Sequence, residues 1–550
     1  MLNTVPGRIR RSPYCWTTQH YLETYNSPIQ ISGLRQVHMQ SQELPKLQQR
    51  RPDPGEIETL LLRHPNVKEA AVIAREDMPR DEHLEVYVAV NLNNLKIPDS
   101  GVPSLTDASM VHRWNTLYDL AYSKGPEGPS FSGWTSSYTR KPIPDAQMLE
   151  WLTMTLERIG ALKPQRLLEI GCGVGLLVQH LAPQCPTYVA TDISAAGLSR
   201  LRKWMQDRAD LSHVELLHRS ALDLQELKPN YFDTIVLNSV VQYFPNVDYL
   251  LAVLNSVHRL LLPGGRVFIG DVRNFKLLST FHSSVQFQRA TDETSAGQLK
   301  RRVSRAIAQE TELTIDPTFF YALPALAPWI TAVDVQLKRG DAQNELTRYR
   351  YDAVLHAHEE HPDPGTDKAI AWHTSAGFSP EIQTALHAKR WPALRLTGIP
   401  NSRLSTDEAA RNLIYTSDER TATISLRRQL EGLQVSAVDP VSLWKLGESQ
   451  GYNVCINWDS QKSADHFEAC FLDRALSAQT PFSATLPPDE VRPWNEYTNN
   501  PLENRIAQQI IPSLREYLQH KLPDNMIPPV WTILKQLPRG PNGEVDRRAL

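Results

Sequence analysis

The chain has 550 residues and nearly balanced charge, with 58 Lys and Arg against 61 Asp and Glu. This balance leaves no basic track for nucleic acid and no general attraction to an anionic membrane surface, so neither is expected as a partner. With 41% hydrophobic residues, the chain has the apolar content of a globular protein of several domains, which excludes wholesale disorder.

The cysteines and the apolar runs exclude further classes of protein. The five cysteines are scattered and form no C-x-x-C pair, which argues against a disulfide scaffold or a zinc knuckle. Free cysteines fit a reducing compartment, so we expect a cytoplasmic location. No stretch of about 18 uncharged apolar residues predicts a membrane span, and the start of the chain lacks the apolar centre of a secretory signal.

The N-terminal part of the chain changes character after about fifty residues. The first fifty are rich in basic side chains and glutamine with little periodicity, and we interpret them as a poorly structured arm. The next stretch predicts a helix, because Ile57, Leu60 and Leu61 recur at i, i+3 and i+4. Two apolar runs then predict a pair of strands, at 67–75 and 84–92.

The middle of the chain alternates between two kinds of pattern. Short apolar runs are separated by amphipathic runs with helical spacing. In one of these, Leu198, Leu201 and Met205 share a face, and Ser194 is suited to cap the N-terminus. The alternation predicts a parallel sheet with helices on both faces. The predicted strands are 166–172, 187–193, 214–221, 232–240 and 266–272, and the predicted helices are 176–182, 194–206 and 249–265.

The strongest single motif is LLEIGCGVG at 167–175. An apolar strand leads into Gly171, Gly173 and Gly175, and a helix follows. Glycine is needed because the turn requires unusual backbone angles and a ligand must approach the main chain closely. The helix start then offers free N–H groups. A dinucleotide site would need G-x-G-x-x-G, but Leu176 stands in the place of the third glycine.

Polar side chains stand near the ends of the predicted strands. Glu169 precedes the glycine loop. Asp192 ends the second strand, where a carboxylate accepts both hydrogen bonds of a ribose diol. Asp223 follows the third strand and is placed to reach an adenine amino group. Asn238 ends the fourth strand at the carboxyl edge, where ligands of open α/β sheets bind.

This succession resembles the class I S-adenosylmethionine (SAM) methyltransferases. It is most similar to the N-methyltransferase domains embedded in nonribosomal peptide synthetases, through FSGWTSSYTRKPIP (131–144), LNSVVQYFP (237–245), LLPGGRVFIGDVRN (261–274), DPTFFYALP (316–324) and LKRGDAQNELTRYRYDAVLH (337–356). The resemblance implies a Rossmann-like α/β sheet and SAM as cofactor. The implied cofactor contacts are Glu169, Gly171, Cys172, Gly173, Gly175, Asp192, Ile193, Asp223 and Asn238, with Ser137 and Tyr138 closing over the SAM.

The flanking sequences resemble parts of an amino-acid adenylation domain. Residues 54–77 are similar to its eighth core motif, and residues 514–550 to its last two. Neither flank has enough strands for a core of its own, so we expect the two to fold as one small α+β lobe. The implied regions are an arm (1–50), the first part of the adenylation C-terminal subdomain (51–110), the methyltransferase core (111–275), a substrate-covering region (276–490) and the second part of the subdomain (491–550).

Adenylation itself is not expected of this chain. The large N-terminal adenylation subdomain is not recognisable in the sequence. Glu544 stands where the final motif of the family has a lysine that contacts the acyl-adenylate. A carboxylate at this position would repel the carboxylate and phosphate that it should bind.

For methyl transfer, the resemblance implies that the acceptor is an aminoacyl thioester on a carrier protein, with other synthetase domains as partners. The acceptor amine must be neutral, so a nearby group should take or steer its proton. Glu345 is the first choice as proton acceptor. The other candidates are Tyr243 and Asp271 at the carboxyl edge of the sheet, and Asn344 and Tyr349 further along the chain.

Several other features of the sequence have simpler explanations than a functional site. The run HAHEEH at 356–361 is one residue short of H-E-x-x-H, so we interpret it as a charged loop and expect no metal. We interpret Cys172 as a small residue that is tolerated beside the cofactor. Arginine clusters are most often solvated, although a few could dock an acidic carrier protein or its phosphate. Two alternatives stay open: an inert synthetase remnant that acts as an interaction module, and a stand-alone methyltransferase for small molecules.

Overall fold

The computed structural model describes residues 53–76, 82–91, 107–124, 128–357, 369–371, 380–388, 393–433, 436–458, 464–474, 491–534, 536–540, 542–548 and 550. The strands are β1 (Val67–Glu76), β2 (Glu82–Val90), β3 (Arg166–Ile170), β4 (Thr187–Asp192), β5 (Val214–His218), β6 (Phe232–Asn238), β7 (Leu261–Arg273), β8 (Ile330–Leu337), β9 (Arg350–Ala357), β10 (Ala369–Ala371), β11 (Ala393–Pro400), β12 (Tyr452–Trp458), β13 (His466–Asp473) and β14 (Val530–Leu534).

The α-helices are α1 (Pro54–Leu62), α2 (Asp107–Lys124), α3 (Asp145–Gly160), α4 (Val178–Leu181), α5 (Ala195–Met205), α6 (Val247–His258), α7 (Leu278–Arg289), α8 (Ala296–Ala308), α9 (Thr318–Leu326), α10 (Glu345–Tyr349), α11 (Pro380–His387), α12 (Ser402–Thr416), α13 (Thr423–Glu431), α14 (Pro440–Ser449) and α15 (Pro501–Gln519). Within the described ranges, no helix is both long and apolar enough to cross a membrane. The predicted arm at 1–50 and the HEEH stretch at 358–361 lie outside the described residues.

The central element is a seven-stranded sheet in the order β5-β4-β3-β6-β7-β9-β8. Six strands run parallel, and β9 is antiparallel to both of its neighbours. The chain continues from β3 to one side through β4 and returns to the other side at β6. A ligand crevice is therefore expected outside the carboxyl end of β3. This is the Rossmann-like α/β sheet that the sequence predicts.

Both faces of this sheet are buried. Leu167 and Leu168 of β3 point in opposite directions and belong to two separate cores. Leu198 of α5 packs with Leu167, whereas Val253 of α6 packs in the core of Leu168. The predicted cap of α5 is confirmed, since the Ser194 hydroxyl accepts a hydrogen bond from the Gly197 N–H at 3.0 Å.

Two boundaries differ from the sequence prediction. Helix α6 ends at His258 and β7 begins at Leu261, so the Pro-Gly-Gly expected to close the helix lies inside the strand. A register shift along β6 accommodates these extra residues. The sheet also extends past the predicted core at 111–275, because β8 and β9 supply two further strands that pair beyond β7.

A second sheet, in the order β10-β11-β13-β12, lies within the predicted substrate-covering region. Its strand β12 contacts β8 at the edge of the main sheet. Helix α12, which follows β11, packs on α7 and contacts α10. This region therefore brings a late segment of the chain against the main domain.

The two flanking segments form one lobe, as the shortage of strands in each predicts. Strand β2 pairs antiparallel with β1 and parallel with β14, which is nearly 450 residues later in the chain. Helices α1 and α15 cover the sheet with one apolar core that includes Ile57, Leu61, Ile506, Ile510 and Leu514. The main domain is thus inserted between two halves of a single small lobe.

Candidate active site

The glycine loop after β3 needs glycine for both its conformation and its space. Gly171, Gly173 and Gly175 have φ of 81°, 54° and 84°, a region that other residues adopt with strain. A Cβ on Gly171 would lie 2.4 Å from Val240 Cγ2, and one on Gly175 would lie 2.5 Å from Leu201 Cδ1. The loop is thus pressed against α5 and the segment that follows β6.

Asp192 at the end of β4 holds this loop in place. Its Oδ2 accepts a hydrogen bond from the Gly173 N–H at 2.8 Å, and its Oδ1 accepts one from the Ser194 N–H at 2.7 Å. Burial raises the pKa of Asp192, and these two hydrogen bonds oppose that rise. The carboxylate keeps acceptor capacity for a ribose diol.

Two other predicted cofactor contacts are buried beside the loop. The Glu169 carboxylate accepts a hydrogen bond from the Tyr188 hydroxyl at 2.7 Å, and burial raises its pKa to about 7. Burial also raises the pKa of the Cys172 thiol well above its ordinary value. A thiol with a raised pKa is a poor nucleophile, which favours Cys172 as a small packing residue.

Asn238 and Ile193 lie at the same edge of the sheet. The Oδ1 atom of Asn238 is buried and has no hydrogen-bond partner among the described residues. The Ile193 carbonyl oxygen lies 2.9 Å from Nε2 of His218. An unpaired buried amide oxygen calls for a donor, and the amino groups of SAM are donors of the required kind.

Asp223 is not brought to this group. Its side chain is 55% exposed and lies 3.4 Å from the guanidinium of Arg219. The turn after β5 buries Ala221 instead, which leaves Asp223 facing solvent. Its contact with adenine stays a prediction.

Helix α2 adds residues that the sequence patterns did not indicate. Asp119 Oδ1 accepts hydrogen bonds from the Ser194 hydroxyl at 2.5 Å and from the Ala196 N–H at 3.1 Å. The Tyr122 hydroxyl lies 3.0 Å from the position of a Cβ on Gly173. Helix α2 is thereby attached to the start of α5 and lies over the glycine loop.

An aromatic cluster joins α2 to the carboxyl edge of the sheet. Its members are Trp114, Tyr118, Tyr122 and Tyr243. The ring of Tyr243 lies 4.7 Å from that of Trp114 and 5.3 Å from that of Tyr118. Burial raises the pKa of Tyr243 to about 12, so its hydroxyl stays protonated at neutral pH. The spacing of four residues between Trp114, Tyr118 and Tyr122 is a sequence signal from which this cluster could have been predicted.

Glu345 and Ser137 meet although 208 residues separate them. The Glu345 carboxylate accepts hydrogen bonds from the Ser137 N–H and hydroxyl, both at 2.8 Å. Arg289 of α7 donates to the carbonyl oxygens of Ser137 and Tyr138. Ser137, a predicted cofactor contact, therefore orients Glu345, the predicted proton acceptor. The side chain of Glu345 is only 8% exposed.

Tyr138 and Tyr349 meet a carboxylate that the sequence did not single out. The Tyr349 hydroxyl donates to Asp407 of α12 at 2.7 Å, and the Tyr138 oxygen lies 3.3 Å from that of Tyr349. Asp407 also accepts from Arg348 at 3.1 Å. Burial and the Asp407 charge raise the pKa of Tyr349. No local motif marks Asp407, because its partners lie about 60 residues away or more.

Asp271 is tied into a buried network. Its carboxylate accepts from Trp151 at 3.1 Å, from Ser239 at 2.8 Å and from Arg350 at 2.6 Å, and it is fully buried. Asp271 and Ser239 have φ of 64° and 56°, which is uncommon outside glycine. These contacts favour an anchoring role for Asp271 over proton transfer.

Asn344 is placed as a helix cap. Its Oδ1 accepts from the Leu346 N–H at 2.9 Å, and its Nδ2 donates to Gln147 at 2.9 Å. The side chain therefore fixes the start of α10, and with it the position of Glu345.

The site thus has two halves. We name the first group, Glu169, the loop Gly171–Gly175 and Asp192, the nucleotide half, after its predicted cofactor contacts. We name the second group the acceptor half, after the predicted proton acceptor Glu345; it also contains Tyr349, Asp407 and the predicted cofactor contacts Ser137 and Tyr138. Arg350 donates to Asp271, which belongs to neither half. Burial lowers the pKa of Arg350, but the charges of Asp271, Glu312 and Glu345 outweigh burial and raise this pKa. Among the described residues, no group of His, Cys, Asp and Glu could hold a metal ion.

Comparison with known proteins shows what the chain is similar to. A family model described as a methyltransferase domain matches residues 168–267, which hold the whole nucleotide half. Chondramide synthase of Chondromyces crocatus is 37% identical over 505 residues, or 90% of this chain and 13% of the synthase. A probable non-canonical nonribosomal peptide synthetase of Salinispora arenicola is 36% identical over 512 residues, or 93% of this chain and 6% of the synthetase.

Among solved structures, the N-methyltransferase NodS of Bradyrhizobium japonicum with S-adenosyl-L-homocysteine matches with a TM-score of 0.27 and 16% identity, over 44% of this chain and 98% of that chain. The chain spans only a small fraction of the synthetases that it matches. It carries a SAM-dependent methyltransferase domain, and over nine tenths of its length it is homologous to nonribosomal peptide synthetases.

Proposed function

We propose that the domain methylates the amine of an aminoacyl thioester carried by a carrier protein. The observation that carries this proposal is the insertion of the methyltransferase domain between the halves of one lobe, with Asp192 hydrogen-bonded to the glycine loop. A methyltransferase for free small molecules has no need of such a lobe. The order of segments is that of the synthetase domains that the sequence resembles.

SAM supplies an activated methyl group, which leaves sulfur for nitrogen as one C–S bond breaks and one N–C bond forms. The residues of this chain position the two partners and exclude water. Asp192 and the glycine loop bind the nucleoside. We assign Glu345 to accept the proton that the amine releases, with Ser137 orienting it.

Tyr138, Tyr349 and Asp407 form the wall of the acceptor half. The hydrogen bond from the Tyr349 hydroxyl to Asp407 fixes the Tyr349 ring against α12, and the Tyr138 hydroxyl lies 3.3 Å from that of Tyr349. A fixed wall places the amine in line with the departing sulfur, and this alignment supplies much of the rate enhancement in a displacement of this kind. Tyr243 of the aromatic cluster lies after β6, at the carboxyl edge of the sheet, and packs on Trp114 and Tyr118 of α2.

The flanking lobe is proposed to be a remnant of an adenylation subdomain without adenylation activity of its own. Glu544 lies exposed in the turn between Arg539 and Val545. A carboxylate at this turn is suited to repel an acyl phosphate.

The test is a methyl-transfer assay with methyl-labelled SAM. The acceptors are an aminoacyl-phosphopantetheinyl carrier protein and the same free amino acids. We expect label on the thioester amine alone, and no label with Asp192→Ala. Label on free amino acids would indicate a stand-alone enzyme. SAM binding without any label would indicate an inert interaction module.

A further inference from the structure

Arg273 ends β7 at the carboxyl edge of the main sheet and is shared by two carboxylates. Its guanidinium donates to Glu310 Oε2 at 2.8 Å and to Glu312 Oε2 at 2.9 Å, and its side chain is 13% exposed. Burial lowers the pKa of Arg273, but the charges of Glu310 and Glu312 outweigh burial and raise this pKa, so the guanidinium stays charged. Arg273 is therefore held between the sheet and the loop at 309–317, which we name the connecting loop.

Phe281 of α7 lies between Arg273 and the acceptor half. The Arg273 Cζ atom lies 5.4 Å from the centroid of the Phe281 ring, which is a cation–π contact. The same ring packs edge-to-face on Tyr349, with the centroids 5.1 Å apart, and on Tyr138, with the centroids 6.4 Å apart. Both tyrosines belong to the acceptor half. A shift of the guanidinium therefore changes the packing of these rings, because close-packed side chains transmit displacements.

The connecting loop is fastened to the second flanking segment. Asn499, just before α15, donates from Nδ2 to the Glu312 carbonyl oxygen at 2.8 Å. Its Oδ1 accepts hydrogen bonds from the N–H and the hydroxyl of Thr314, at 2.8 and 3.0 Å. Asn504 of α15 donates to the Glu310 carbonyl oxygen at 3.0 Å. Since α15 contributes to the core of the flanking lobe, the lobe holds the backbone of both glutamates.

We propose that Arg273 is a positioning residue for methyl transfer and fixes the acceptor half relative to the flanking lobe. One chain of contacts joins the two regions: Asn499 to Glu312, Glu312 to Arg273, and Arg273 through Phe281 to Tyr349. None of these contacts involves the glycine loop, so breaking the chain should leave SAM binding intact.

The inference rests on the proposed function, since it assumes that the acceptor half holds the acceptor. A displacement of about 1 Å between the acceptor and the methyl group can slow a reaction by about 100-fold. The flanking lobe therefore affects turnover without touching the acceptor, because its contacts with the connecting loop set the position of Arg273.

The first experiment measures hydrogen exchange by mass spectrometry and needs no acceptor. Arg273→Met removes the charge and keeps an apolar stem. We expect the amides of α10 to exchange several-fold faster in this variant, while those of β4 and the glycine loop stay unchanged. Arg273→Lys keeps the charge and should restore part of the protection. The matched control is Arg427→Met. Arg427 also pairs with a carboxylate, that of Asp292, and also lies over a phenylalanine of α7, but this ring, Phe287, belongs to a separate core.

Unchanged exchange of α10 in Arg273→Met would overturn the proposal. So would an equal increase in Arg427→Met, or faster exchange along the whole chain, since either would show a general loss of stability. If Arg273→Met does not fold, Asn499→Ala decides, because it removes only uncharged hydrogen bonds at the far end of the chain of contacts. We expect Asn499→Ala to speed the exchange of α10 as well, and slow exchange there would contradict the proposal.

The second experiment separates this inference from the proposed function. It measures kcat in the methyl-transfer assay and the Kd for SAM by calorimetry. In Asn499→Ala and in Phe281→Leu, kcat should fall by about tenfold while the Kd for SAM stays within about twofold. The double variant should lose no more than the weaker single variant, because both changes break the same chain of contacts. Multiplied effects would mean independent roles and would overturn the proposal.

The two readouts fail in different ways. Faster exchange of α10 in the variants, without methylation of the aminoacyl thioester by the wild type, would refute the proposed function and leave the positioning chain standing. Methylation of the thioester at the wild-type rate by Asn499→Ala and Phe281→Leu would refute the positioning role and leave the proposed function standing.

Discussion

The two halves of the site differ in how far apart their residues lie in the chain. In the nucleotide half, Asp192 and Gly173 are 19 residues apart and belong to consecutive strand–loop units. In the acceptor half, Ser137 and Glu345 are 208 residues apart, and Asp407 comes from a helix of another subregion. Local turns therefore build the first half, whereas the second half depends on packing between distant elements.

This difference has a consequence for substitutions. A change in the nucleotide half acts on a backbone conformation that few residues can adopt, so it should affect cofactor binding. A change in the acceptor half removes one contact among several, so it should affect turnover while SAM still binds. The following predictions test this separation.

The largest effect is expected for Glu345→Gln. The amide cannot accept a proton from the amine, so kcat should fall by about 100-fold or more, as is typical for the loss of a general base. The Kd for SAM should stay within about twofold, since Glu345 contacts Ser137 and not the glycine loop. Single-turnover kinetics and calorimetry measure the two effects. An unchanged kcat would make Glu345 only a structural partner of Ser137.

Gly171→Ala should give the opposite pattern. The new Cβ would lie 2.4 Å from Val240 at a backbone angle that alanine adopts with strain. A cost of about 3 kcal/mol corresponds to SAM binding about 100-fold more weakly. Calorimetric titration with SAM measures this. Gly160→Ala is the control, because a Cβ there meets no atom within 4 Å. Equal affinities of both variants would disprove a role for the loop conformation.

Glu169 should make stability depend on pH. Its pKa rises from 4.5 to about 7 on burial, so between these values the folded state holds a proton that the unfolded state has lost. Stability should therefore fall as pH rises through this window, by about 3 kcal/mol, and level off above pH 7. Glu169→Gln should lack the decline. Urea unfolding across a pH series measures it, and parallel curves for the two proteins would contradict the assignment.

The smallest effect is expected for Asp119→Ala. Its loss leaves the Ser194 hydroxyl and the Ala196 N–H without their acceptor and loosens α2 from α5. We expect the free energy of unfolding to fall by about 1 kcal/mol, as for the loss of a helix cap. Asp207→Ala is the control, since Asp207 is exposed and its side chain makes no hydrogen bond within the described part of the chain. Urea denaturation measures both, and equal stabilities would show that α2 is held by its aromatic contacts alone.

Much of the nucleotide half was predictable because its parts are local. The alternation of strands and helices predicted the sheet, and the glycine loop with Asp192 predicted the cofactor edge. The sequence predicts a helix α6 that is too long, because Leu260 and Leu261 fit a helix as well as a strand. Only the pairing of β7 with β6 decides for the strand. Asp223 was predicted as a cofactor contact from its position after a strand. The conformation of the turn decides the direction of a side chain, and this turn leaves Asp223 exposed.

The acceptor half was only partly predictable. Glu345, Tyr349, Ser137 and Tyr138 were found through resemblance to a family and not through any pattern of their own. Asp407 and Asp119 were missed, because an isolated charged residue on a polar helix surface looks like a solvated one. What distinguishes them is burial and partners, and both arise only after distant segments pack.

The sequence by itself determined the parallel sheet, the glycine loop, Asp192 and the pairing of the flanking segments. The sheet and the loop follow from periodicity and from the narrow range of residues that a strained turn accepts, and the pairing follows from the shortage of strands in each flank. The tertiary structure alone decided that β8 and β9 complete the main sheet and that Asp407 faces Tyr349. Each of these depends on contacts between residues that lie far apart in the chain, and local sequence patterns do not indicate such contacts.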